Sequence, residues 1–187
     1  SAFFAKYGQP LVAGLKNAEK MALMNLLRHP HRMDTEAVAV LRTVRTDGMD
    51  DGAVRELAMF AAMYETEETV LRYIGKIKDR TFAARVRFDY YYARSHRNGP
   101  FQEKALAEIP VLRKSPKHAQ DIVWSHATLM QWQGKLPEAI KLYQAANRQP
   151  QSTWAVIDCL VTLKQYDKAI KLTRELESLG AAVASAA

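Results

Sequence analysis

Apolar residues recur at spacings of three and four along nearly the whole chain, which is the period of an α-helix. Leu11, Leu15, Ala18, Ala22, Met24 and Leu26 form a first stripe. It is expected to run as one helix as far as His29-Pro30, because a proline disfavours helix in the residue before it. Asp34 is expected to cap a second helix carrying Ala37, Val38, Leu41 and Val44, which Thr46-Asp47-Gly48 ends. Asp50 or Asp51 caps a third, with Val54, Leu57, Ala58 and Ala61 on its apolar face. Thr66, followed by Glu67 and Glu68, opens a fourth bearing Val70, Leu71 and Ile74. Negative charge in that first turn suits the helix dipole.

Prolines and glycines punctuate the second half. A fifth helix is expected over 80–97, with Asn98-Gly99 as its C-cap and Pro100 in the first turn of the next. Pro110 is expected to kink or shorten that sixth helix. Ser115-Pro116 starts a helix that runs to about Gln133 and stops at Gly134. Pro137 begins another, which ends before Pro150. Ser152 or Thr153 caps a helix over 154–163, and the last spans 167–178 and stops at Gly180. No run alternates as a strand would. The pattern gives about ten helices, and their short loops force neighbours to be antiparallel.

The same plan repeats. Trp124, Met130, Leu136 and Ala139-Ile140-Lys141-Leu142 recur as Trp154, Leu160, Tyr166 and Ala169-Ile170-Lys171-Leu172, at an offset of 30 without gaps. A weaker copy lies upstream, in Tyr90-Tyr91-Tyr92, Asn98-Gly99 and Phe101 to Leu106. Periods near thirty are the mark of stacked helix pairs. A single hairpin leaves its apolar face uncovered, so stacking supplies the core. In this reading Ala139 and Ala169 let paired helices approach, while Trp124, Tyr143, Trp154 and Tyr166 fill gaps between hairpins.

These residues resemble the tetratricopeptide repeat family. Trp124, Ala127, Gly134, Leu136, Ala139, Tyr143 and Ala146 fill one repeat of its signature, and Trp154, Tyr166 and Ala169 carry the next. There Lys164 stands in place of the turn glycine and Thr173 in place of the aromatic on the second helix. The resemblance is good over 115–180, weaker over 80–114, and only architectural before that. It implies an all-α, right-handed helix-hairpin solenoid of about five pairs. Residues 1–79 then form N-terminal hairpins, as degenerate repeats or a cap, and 80–187 the repeats, within one continuous domain. It also implies a concave groove lined by the first helix of each pair, suited to a peptide.

Composition narrows the function without naming it. The 187 residues include one cysteine, Cys159, so no disulfide framework exists. The longest nearly unbroken apolar run, Leu57 to Tyr64, is too short to span a bilayer. We expect a soluble protein, cytoplasmic or periplasmic. The start, SAFFAKYGQP, has neither an initiating Met nor a signal-peptide layout, which fits a processed or excised chain. The C-terminal GAAVASAA reads as the start of another helix, so the natural chain is expected to continue.

The formal net charge is +7. Between Arg80 and Lys117 nine Lys or Arg face three acids, so most of the excess sits there. Such an excess attracts acidic peptides, nucleic acids or phospholipid. Arg87, Tyr90, Arg94 and Arg97 are spaced by three, four and three, so a helix through all four presents them on one face. The family resemblance turns that face to the groove and adds Thr128, Gln131 and Trp132 from the next pair, with Asp158 and Thr162 from the last. Arginine forks match carboxylates and phosphates.

No catalytic constellation stands out. There is no phosphate loop, no His-Glu-x-x-His and no Cys-x-x-Cys. His29 and His31 flank Pro30 without a third metal ligand nearby. Cys159 and His126 read as packing residues on repeat helices. The sequence therefore points to a noncatalytic protein–protein interaction scaffold, with no cofactor and no metal, that holds an acidic partner segment in its groove. Two alternatives stand beside it: an RNA-binding helical repeat, suggested by Tyr90-Tyr91-Tyr92 among arginines, and the noncatalytic portion of a larger enzyme or assembly. An exposed solenoid end also makes a homo-oligomer a possible outcome.

Overall fold

The computed structural model describes residues 8–29 and 33–185. Among them are eleven helices and no strand: α1 (Gln9–Ala13), α2 (Asn17–Arg28), α3 (Asp34–Leu41), α4 (Asp51–Tyr64), α5 (Glu67–Ile74), α6 (Arg80–Tyr92), α7 (Gly99–Arg113), α8 (Ala119–Trp132), α9 (Leu136–Ala146), α10 (Gln151–Thr162) and α11 (Tyr166–Ser185). After the short α1 they fall into five successive pairs. The chain divides into two compact units, Ser1–Val86 and Arg87–Ala187, and the division falls inside α6.

In the first unit α2 packs on α3 and α4 on α5. The expected single first helix is two. Gly14 ends α1, and α2 begins at Asn17, with the Glu19 carboxylate accepting from Lys16 N at 2.7 Å. The break resets the helical phase. Of the anticipated stripe Met24 alone is buried, joined by Val12 and Leu27, and Leu11 is 71% exposed. Asp34 is the first residue of α3, with Met33 at the cap position. The caps at Asp50 and Thr66 form as anticipated: Asp50 accepts from Ala53 N at 2.8 Å, and Thr66 from Thr69 N at 3.4 Å. Asp51 is no cap of its own helix. Its carboxylate accepts from Lys78 N and Asp79 N, both at 2.9 Å, and so ties down the loop before α6. Those two amides hold its pKa below the ordinary carboxylate value.

In the second unit α7 packs on α8, and α9 packs on both α8 and α10. α11 packs on α10. The core gathers Ala127, Met130, Ala139, Tyr143, Val156, Cys159, Leu160 and Ala169. Ala139 and Ala169 are buried where the paired helices meet, as their size requires. Each large apolar side chain buried here contributes about 1.5–3 kcal/mol.

Several boundaries differ from those read in the sequence. α6 stops at Tyr92, and Asn98 and Gly99 open α7 instead of closing α6. α7 runs through Pro110 to Arg113. Ser115 to Lys117 form a turn, with Ser115 O accepting from His118 N and Ala119 N, so α8 starts at Ala119. α10 begins at Gln151, which leaves Ser152 inside it, with Oγ accepting from Arg148 N at 2.8 Å. α11 continues through Gly180, because the alanines after it are the best helix formers and offset the cost of one glycine, about 1 kcal/mol.

Candidate functional site

The predicted basic stripe does not form. Arg87 turns toward α7, where Nε and Nη2 donate to the two Glu108 oxygens at 2.7 and 3.0 Å. Tyr90 is buried, and the Arg94 guanidinium lies 4.2 Å from its ring centroid and donates to Tyr90 O at 3.3 Å. Arg97 lies past the end of α6 in a left-handed turn, at φ 58°, so it shares no helical face with the other three. The stripe needed a helix five residues longer than the one that forms, and the loop after Tyr92 takes those residues.

The tyrosine triplet is equally occupied. Tyr90 and Tyr91 are buried against Phe101. Tyr92 stacks on Phe88 and on Trp132, with centroids 5.4 and 5.5 Å apart. Trp132 also receives the edge of His96, at 5.4 Å. Each of the three rings therefore has an aromatic neighbour, so the triplet offers no ready platform for bases.

Apart from Trp132, the other predicted residues are linked to one buried hydroxyl. Tyr143 on α9 donates to Gln131 Oε1 at 2.6 Å and lies 3.2 Å from Thr128 Oγ1. Thr128 donates to Trp124 O at 3.2 Å. Gln131 Nε2 donates across to Asp158 Oδ2 on α10 at 2.5 Å. Thr162, one turn on from Asp158, donates back to Asp158 O at 2.9 Å. A chain of hydrogen bonds thus links α9, α8 and α10, with its outer end at the exposed Asp158. Burial pushes the Tyr143 hydroxyl up to about 12, so it stays a donor at any ordinary pH.

The tryptophans differ from expectation and from each other. Trp124 packs edge-on against Tyr143, centroids 4.9 Å apart, with the Arg148 guanidinium 5.8 Å from its ring. Trp154, its repeat equivalent, was expected to pack but is 54% exposed. The cause lies in the repeat itself: at the offset of 30, Thr173 takes the place of Tyr143, and the indole has no ring to close on. Tyr166 was likewise expected to fill a gap and is 54% exposed, whereas its equivalent Leu136 is buried. The exposure of Trp154 is not evident from repeat spacing alone, although Thr173 at the place of Tyr143 marks it.

The remaining candidates are structural. Cys159 is fully buried, and burial pushes its thiol up to about 11, far from a nucleophile at neutral pH. His126 is half-buried beside Arg113, whose Nη2 lies 3.3 Å from Nδ1. Burial, and then that guanidinium, lower its pKa. His31 lies outside the described residues, and among those described no three His, Cys, Asp or Glu side chains group as a metal site would need. Among the described residues no helix is long and apolar enough to cross a membrane.

The comparisons address the fold. No family model matches the sequence, and a search of curated proteins finds no significant match. The structure is similar to a solved structure of a point mutant of MamA, with TM-score 0.56 and 13% identity over 87% of this chain and 94% of that one. The chain therefore has an all-α, helix-hairpin fold of the tetratricopeptide-like type.

Proposed function

We propose that the protein is a noncatalytic protein-binding module and that a partner segment lies along the exposed face of α8 and α10. The observation that carries this reading is Trp154. Its indole stands half in water one helical turn before Asp158, which is tied to Gln131 on the neighbouring helix. Exposed tryptophan on a rigid element is the residue type most enriched among binding hot spots. An indole next to a carboxylate, an amide and the Thr162 hydroxyl offers apolar area and hydrogen bonds at fixed positions, which suits a peptide laid across helices. Thr128 supports that face from behind, through the Tyr143 hydroxyl it shares with Gln131. The net charge of +7 steers acidic segments toward the molecule. Of the three arginines read from the sequence, Arg97 is the exposed one that meets them.

A panel of fluorescent peptides of matched length, acidic, neutral and basic, tests this directly. Acidic peptides bind wild type best. Trp154→Ala weakens them about tenfold or more, and Arg97→Glu reduces their preference over neutral ones. Equal binding by wild type and Trp154→Ala would place the site elsewhere.

A further inference from the structure

A second face of the same unit is open. Asp167, Ile170, Lys171, Arg174, Glu175 and Ser178 lie on one side of α11 and line an open hollow of about 490 Å³. Ile170 is 49% exposed, and Tyr166 one turn earlier is 54% exposed. An isoleucine and a tyrosine side by side in water on a rigid helix form an apolar centre with no cover. The charges around it are balanced, two acids and two bases, on a molecule whose net charge is +7. An acidic partner gains nothing there, and a second basic molecule meets no repulsion there.

We propose that this face docks onto the same face of a second copy, with the two α11 helices antiparallel about a two-fold axis near Ile170. The order of charges carries the choice of occupant. Asp167 lies three residues before Ile170 and Arg174 four after it. An antiparallel two-fold midway between them therefore sets Asp167 of each copy opposite Arg174 of the other, and Ile170 against the aliphatic stem of Lys171. It also brings Arg174 over Tyr166 of the second copy, a favourable cation–ring contact. A parallel pairing would set like charge against like. Self-complementarity of this kind is what an isologous interface requires.

Sedimentation equilibrium of the full chain at low salt, over rising concentration, tests the proposal with two charge reversals. Wild type shifts from monomer to dimer. Asp167→Lys alone and Arg174→Glu alone each weaken the dimer about tenfold or more, since each places two like-charged pairs across the axis. Mixed in equal amounts, the two variants restore a heterodimer, because each copy then supplies the charge that the other lacks. Circular dichroism identical to wild type shows that both variants fold. The proposal is overturned if wild type stays monomeric, if either single variant dimerises as wild type does, or if the mixture fails to recover.

Discussion

Arg87 and Glu108 clasp α6 to α7 through two parallel bonds, of 2.7 and 3.0 Å, with side chains 33% and 15% exposed. The bonds it donates to Glu108 hold the Arg87 guanidinium pKa above its ordinary value. Surface ion pairs contribute about 0–1 kcal/mol, whereas breaking a buried pair costs about 3–5. This pair lies between those limits. Arg87→Ala should lower stability by about 1–3 kcal/mol in urea unfolding. Arg87→Lys should recover only part of that, because an ammonium cannot reproduce the fork. A charge reversal at Arg87 therefore reports on folding before it reports on binding.

The hairpin turns repeat more faithfully than their residues do. Gly134 and Lys164 both adopt left-handed backbone, at φ 73° and 59°. In each turn the next amide reaches five residues back, Lys135 N to Met130 O at 2.9 Å and Gln165 N to Leu160 O at 2.8 Å. This is the glycine-favouring helix stop, and a side chain there costs about 1 kcal/mol or more. Lys164→Gly should raise stability by up to about 1 kcal/mol, less the entropy that glycine returns to the unfolded chain. Gly134→Ala should lower it by a similar amount. Paired thermal melts of the two variants give both signs in one experiment.

The same turns show what the sequence could and could not convey. Where two copies sit at a constant offset, from Trp124 to Leu172, helix limits, buried alanines and turns follow the repeat. The left-handed turn at Arg97, where Asn98 N reaches only to Ser95 O, was hidden because the Asn98-Gly99 that follows it looked like a better helix stop. That displacement moved Arg97 off its helix and dissolved the basic stripe. Arg87 misled for another reason: spacing gives the face of a helix, but not the carboxylate waiting on the next one. The Thr128, Gln131 and Asp158 cluster was legible as neighbouring positions. Its organising hydroxyl, Tyr143, was read only as a packing ring.

His126 makes stability depend on pH in a known direction. Its folded pKa lies below the ordinary 6.5, through burial and the nearby Arg113 guanidinium. The unfolded chain therefore takes up the proton first. Stability contributed by neutral His126 is fully present above about 6.5 and is lost as pH falls below it toward the folded pKa. Urea midpoints for wild type should decline over that interval. His126→Gln should flatten the decline while leaving the plateau above pH 7 within about 1 kcal/mol. An unchanged slope in His126→Gln would assign the dependence to another group.

Trp154 offers a test that links the repeat to the proposed binding face. Trp124 is covered because Tyr143 stands 4.9 Å away, and Trp154 is open because Thr173 occupies the equivalent place. Thr173→Tyr supplies the missing ring. If the second repeat then closes as the first does, the Trp154 emission moves to shorter wavelength, and stability rises by about 0.5–1.5 kcal/mol from the aromatic pair. Covering the indole also removes it from the partner. Thr173→Tyr should thus stabilise the fold and weaken acidic-peptide binding together, whereas a merely structural Trp154 would gain stability with binding untouched. That opposition between packing and recognition is what leaving a tryptophan uncovered in an otherwise regular repeat provides.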